Sequence, residues 1–134
     1  MKTRFLSLLL VLAVFAAGCS ISQDEKSARE KSLKQCADRF IGSVISNDFA
    51  SAYNLTTKRL AGPKALEGHL RQPWIAGPTL VLGTVASMSW MGDSAAKVKI
   101  VWTFQQGTQQ SYSPETTVWV WKSGDWKYEG RALR

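Results

Sequence analysis

Apolar and polar residues follow three successive patterns along this chain. Residues 5 to 17 are apolar except for Ser7, a continuous run with no period. Further on, Leu33, Cys36, Ala37, Phe40, Ile41, Val44 and Ile45 recur at steps of three or four, which places them on one helix face. Glu25/Arg29 and Glu30/Lys34 stand at i,i+4 on the opposite side, where such pairs support a helix. The pattern predicts one long amphipathic helix from Asp24 to about Ser46. Asn47-Asp48 offers an N-cap for a second helix that turns Phe49, Ala52, Tyr53 and Leu60 inward and ends at Gly62-Pro63. A third, short helix starts at Pro63, puts Leu66 and Leu70 on one face and stops at Pro73.

From Thr79 the period changes to two. Residues 79–91 read as a strand bounded by Gly92-Asp93. Residues 94–105 read as its hairpin partner, with Ala96, Val98, Ile100, Trp102 and Phe104 alternating against Lys97, Lys99, Thr103 and Gln105. The polar run Gln105 to Gln110 reads as a loop, Tyr112 to Lys122 as a third strand, and Ser123-Gly124-Asp125 as a turn into a last strand, Trp126 to about Ala132. Helices first and an antiparallel sheet second predict an α+β domain spanning residues 24–134. The length of 134 residues, 45% hydrophobic and 20% charged, suits one globular domain and excludes disordered or collagen-like chains.

The N-terminus carries an address. Lys2 and Arg4 precede the apolar run, which is too short to cross a hydrocarbon core of about 30 Å as a helix, and Ala16-Ala17-Gly18 supplies small residues for cleavage, the three parts of a signal peptide. Ala16-Ala17-Gly18-Cys19 resembles the bacterial lipobox, departing from it at Ala16, where that motif prefers Leu. The resemblance implies that residues 1–18 are removed and that Cys19 becomes the lipidated first residue, with residues 19–23 as a short tether. Several acyl chains, each worth about 0.8 kcal/mol per buried methylene, would anchor the protein durably. Ser20 resembles the residue that permits export to the outer membrane, so the expected location is the cell envelope, on the outer membrane facing the periplasm.

Charge narrows the partners. The full chain has a formal net charge of +7; loss of Lys2 and Arg4 leaves fifteen basic against ten acidic residues, +5, spread along the chain with no basic cluster. Nucleic-acid binding would need a concentrated basic stripe, so no nucleic acid is expected. The expected partners are the membrane, through the N-terminal lipid, and a second copy of the chain or another envelope protein. With Cys19 consumed by lipid, only Cys36 remains and no intramolecular disulfide forms. Cys36 lies on the apolar stripe and reads as a small buried hydrophobe; a catalytic thiol or an intermolecular bridge are the alternatives.

Three stretches carry a resemblance to a family. Phe40 to Tyr53, containing Asn47-Asp48 and Ala52-Tyr53, the hairpin Gly92 to Val98, and the closing turn Ser123 to Tyr128 resemble the superfamily of nuclear transport factor two and ketosteroid isomerase, in particular its small bacterial lipoproteins. The resemblance implies a cone in which the sheet curls around the long helix and leaves a pocket at its open end, lined by Tyr53, Val98, Ile100, Trp102 and Phe104. A cystatin-like helix on a sheet is the nearest structural rival.

Catalysis in such a pocket would need a buried base and an oxyanion donor. The inner positions of the second strand contain no carboxylate, and only Glu115 and Glu129 are placed to reach a pocket. His69 alone makes no zinc site, and there is no Gly-rich phosphate loop. No catalytic, metal or cofactor residues are therefore assigned. All six tryptophans lie at or after Trp74. Trp119 and Trp121 share one face of a strand whose other face carries Val118 and Val120, so both faces need cover, and one of them is expected to be an interface. The function expected is a membrane-anchored, non-catalytic binding or assembly module; the alternative is a pocket enzyme or ligand-binding protein of the ketosteroid-isomerase type.

Overall fold

The structure, a computed structural model, describes residues 21–132; the expected signal peptide and Cys19 lie outside them. The chain divides into two units, Met1–Lys31 and Ser32–Arg134, within the first helix, α1 (Gln23–Ile45). In the first unit, Ser22 Oγ accepts from the Glu25 amide at 3.1 Å, capping the helix start, and Arg29 pairs with Glu25 at 2.9 Å. No helix among the described residues is long and apolar enough to cross a membrane.

In the second unit the expected stripe of α1 is the buried one: Leu33, Cys36, Ala37, Phe40, Ile41 and Val44 all lose their solvent contact. Lys34 pairs with Asp38 at 2.8 Å, one turn forward of the partner expected from spacing. Asn47 ends the helix in the left-handed conformation (φ 57°), which its short polar side chain tolerates better than most. Asp48 then caps α2 (Phe49–Asn54), accepting from the Ser51 amide at 3.1 Å.

α2 is much shorter than the expected helix to Gly62-Pro63. The fourth strand captures the segment that follows: Tyr128 donates its amide to Leu55 O at 2.8 Å and accepts from the Thr57 amide at 3.0 Å, forming a parallel bridge with Thr56. A long-range backbone pair thus replaces the helical bonds that local sequence would permit. α3 (Pro63–Arg71) begins at Pro63 as expected and buries Leu66 and Leu70.

Four antiparallel strands follow, β1 (Thr79–Trp90), β2 (Ala95–Gln106), β3 (Gln109–Lys122) and β4 (Asp125–Arg131), paired in the order β1-β2-β3-β4. The segment read as a loop is instead a tight hairpin. Gln106 pairs with Gln109 across Gly107-Thr108, and β3 begins at Gln109. These glutamines extend beyond the core, and their exposure explains a composition that resembles a loop. The β3–β4 turn places Ser123 (φ 55°) and Gly124 (φ 78°) in left-handed conformations, as a two-residue hairpin matched to sheet twist requires.

Ala96, Val98, Ile100 and Trp102 of β2 are buried at 0–2% exposure, together with Trp119, Trp126 and Tyr128. Phe40 of α1 stacks on Tyr128 (centroids 4.7 Å apart, planes 17° apart) and meets Trp119 edge-on at 5.6 Å. The architecture is a long helix followed by an open four-stranded antiparallel sheet. Trp119 is 0% exposed and Trp121 packs on Trp126 at 5.4 Å, so the aromatic face of β3 is the one that packs in the core, and Val118 and Val120 are what remains of the expected interface. Val118 and Val120 are left half-buried on the other face.

Candidate functional site

The residues expected to line a pocket do not do so together. Val98, Ile100 and Trp102 are packed solid, and Tyr53 turns its hydroxyl to donate to Leu60 O at 2.8 Å. They fill the space that a pocket would occupy, because the sheet carries Trp102, Trp119, Trp126 and Tyr128 on its inner face where smaller residues would leave a void. Only Phe104 reaches a cavity.

That cavity, of about 520 Å³, lies between the end of α1 (Val44, Ile45), Asn47, Phe49 of α2, Arg71 of α3, the connection Trp74–Pro78, the start of β1 (Thr79, Leu80) and Phe104. Its volume falls in the range of small-molecule sites, roughly 300–1,000 Å³. Pro73 ends α3 and Pro78 precedes β1, holding the apolar connection Trp74-Ile75-Ala76 off the helical path. Trp74 packs its ring against Trp102 at 5.5 Å and Phe104 at 5.3 Å, while Ile75 is 81% exposed. The indole N–H of Trp74 is buried with no acceptor among the described residues, a state that ordinarily costs about 1–3 kcal/mol.

Arg71 is the cavity's one ionisable side chain. Its Nε lies 3.2 Å from Glu67 Oε1, its Nη2 donates to Asn47 Oδ1 at 3.1 Å, and its guanidinium stands 5.7 Å from the Phe49 ring centroid. Reading the sequence missed Trp74, Arg71 and Asn47 as site residues. The available signal was an apolar trio between two prolines, in a connection whose residues no helix or strand period accounts for.

The two carboxylates that looked able to reach a pocket are both engaged. Glu115 does face inward: the Trp102 indole donates to its Oε2 at 2.8 Å, and Oε1 approaches Arg131 Nε at 2.6 Å, off the hydrogen-bond axis. Arg131 Nη2 in turn donates to the carbonyls of His69 and Leu70 at the end of α3, so the cluster braces three strands and a helix. Glu129 pairs with Arg59. His69 Nε2 sits 3.3 Å from the Tyr128 hydroxyl. Burial lowers the His69 pKa below its ordinary value, the Arg131 charge adds to this, and Glu115 opposes it. Burial pushes the Tyr128 hydroxyl well above its ordinary range, and the charge of Glu115 adds to the rise.

Cys36 is fully buried and its Sγ donates to Asp125 Oδ1 at 3.2 Å. Burial raises its pKa, followed by the Asp125 contact. Among the described residues no group of three or more His, Cys, Asp or Glu is placed to hold a metal.

The fold matches the solution structure of a SEC-C motif containing protein from Rhodopseudomonas palustris, with a TM-score of 0.51 and 15% identity, over 69% of this chain and 71% of that one. No family model matches the chain, and no curated protein matches it. The likeness defines the class as an α+β domain with one long helix on an open antiparallel sheet. It also corrects the kinship expected from the sequence: the matching structure carries the name of a SEC-C motif containing protein, not that of a nuclear-transport-factor-two-like protein or a lipoprotein. The physical reason lies in the stretches that carried that resemblance. Asn47-Asp48, Gly92-Asp93 and Ser123-Gly124-Asp125 occupy a helix junction and two hairpin turns, and any chain that makes those connections needs such residues.

Proposed function

We propose that this protein is a lipid-anchored domain of the bacterial envelope that binds a small, largely apolar ligand and leaves it chemically unchanged. The observation that carries the binding role is the cavity of about 520 Å³ in which Arg71 is the only ionisable lining residue. A guanidinium keeps its proton throughout the accessible pH range, so it orients and neutralises but neither gives nor takes a proton in a reaction. Phe49, Trp74, Leu80 and Phe104 supply apolar area, which favours ligand burial. A neutral solvatochromic dye tests the binding role. Nile red should brighten with the native protein, and Ala76→Trp, which fills the cavity from an exposed connection, should abolish the signal without lowering Tm. Brightening that is absent, or unaffected by Ala76→Trp, rejects it.

The anchor rests on Ala17-Gly18-Cys19 and the preceding apolar run. Labelled fatty acid should enter the wild-type chain and not Cys19→Ser, which should appear in the soluble envelope fraction. A wild-type chain without label rejects the anchor. Ser20→Asp should shift the anchored protein to the inner membrane.

A further inference from the structure

We infer that the ligand of this cavity is an apolar monocarboxylate, a molecule with a hydrocarbon or aryl body and a single terminal carboxylate held by Arg71. The inference deepens the ligand-binding reading above and rests on it. A guanidinium carries five N–H donors in a planar fork. In Arg71 the Nε edge faces Glu67 and one Nη2 hydrogen goes to Asn47 Oδ1. Both hydrogens of Nη1 and the second of Nη2 have no partner among the described residues. That is the edge that receives a carboxylate through two parallel hydrogen bonds.

The arginine is also held in place. Glu67, one turn back on α3, and Asn47, in its left-handed conformation at the end of α1, grip it from two elements, and the Phe49 ring lies beside the guanidinium plane. Less rotamer freedom is then lost when a ligand arrives. The charge balance selects the class. Glu67 offsets part of the arginine's charge, so a second negative charge on the ligand, as on a phosphate monoester, would meet the Glu67 carboxylate without a compensating cation, because Arg71 is the cavity's one ionisable side chain. The nearby Asp48 is turned away, accepting from the Ser51 amide and hydroxyl. A planar monoanion fits; a dianion does not. Trp74, whose indole N–H lacks an acceptor, and Phe104 wall the space for the apolar body.

The test uses the full chain bearing Cys19→Ser, with decanoate and decanol as probes, by calorimetry and tryptophan emission at neutral pH. Decanoate should bind at least about tenfold more tightly than decanol, the ratio expected of a charge-assisted hydrogen-bonded pair. Arg71→Gln should remove that preference, bringing decanoate affinity down to that of decanol in the same variant, and Lys64→Gln, elsewhere on α3, should keep it. Equal binding of the two probes by the parent chain overturns the carboxylate inference and leaves the cavity reading standing. Binding of neither overturns both. A preference that survives Arg71→Gln puts the carboxylate elsewhere and overturns the assignment to Arg71.

Discussion

The indole N–H of Trp102 donates to Oε2 of Glu115 at 2.8 Å, a buried side-chain bond between adjacent strands whose acceptor also neutralises Arg131. Removing one member of a buried ion pair leaves the other charged and unpaired, which costs more than the pair contributes. Glu115→Leu should lower unfolding free energy by about 3 kcal/mol, and Glu115→Leu with Arg131→Met should lose less than the two single variants added together, the Trp102 indole staying unpaired in both chains that lack Glu115. Denaturant melts of the wild type, Glu115→Leu, Arg131→Met and the double variant decide; a double variant as unstable as the sum of the single ones would show that the residues act separately.

Gly83 of β1 lies against Ile41 of α1 and the ring of Trp102. A Cβ there would lie 2.6 Å from Ile41 Cγ2 and 3.0 Å from the Trp102 ring. Gly83→Ala should destabilise the fold by about 1–3 kcal/mol through overpacking. Ile41→Ala removes the clashing methyl, so the double variant should lose less than the two single losses added. Additive losses in thermal or chemical unfolding would locate the strain elsewhere.

Cys36 should be inert as well as buried. The thiolate is the reactive form, and burial, with Asp125 alongside, raises the Cys36 pKa. In a Cys19→Ser chain, alkylation of the native protein should run orders of magnitude slower than in denaturant. Equal rates would mean that Cys36 is accessible and would reopen the reactive-thiol alternative.

Stability should fall as pH drops below the unfolded pKa of a histidine, in part through His69. Its folded pKa is lowered from the unfolded value of about 6.5. Between those two values the unfolded chain binds the proton more readily, so stability rises with pH across that window and is fully present above the unfolded pKa. His69→Gln should flatten the Tm-against-pH slope there, and an unchanged slope would exclude His69 as its source.

The two faces of β3 should behave oppositely. Trp119→Ser opens a large cavity beside Phe40 and Tyr128 and should cost at least about 3 kcal/mol, whereas Val118→Ser with Val120→Ser should leave the domain folded. If the valine face pairs two copies or meets an envelope protein, the double variant should shift the sedimentation coefficient of the wild-type assembly. An unchanged coefficient removes that face from consideration as an interface between copies.

Local rules were sufficient for much of this protein. The long helix follows from the stripe Leu33 to Val44, α3 from Pro63 and its two leucines, and the hairpins from Gly92 and Ser123-Gly124, because period, cap and turn chemistry act over a few residues. Local sequence could not settle where α2 ends, since Thr56 leaves the helix only because Tyr128, distant in the chain, offers it a backbone partner. Nor could alternation along β3 say which face would be inside: it separates Trp119 from Val118 but is silent on which meets the helices. That choice belongs to the tertiary structure, where Phe40 and Tyr128 receive the indole. The cavity was decided at the same level. Asn47, the segment from Arg71 to Trp74, and Phe104 come from three separate parts of the chain, and no period links them; only the packing of helices against the sheet brings a guanidinium to the mouth of an aromatic-walled space.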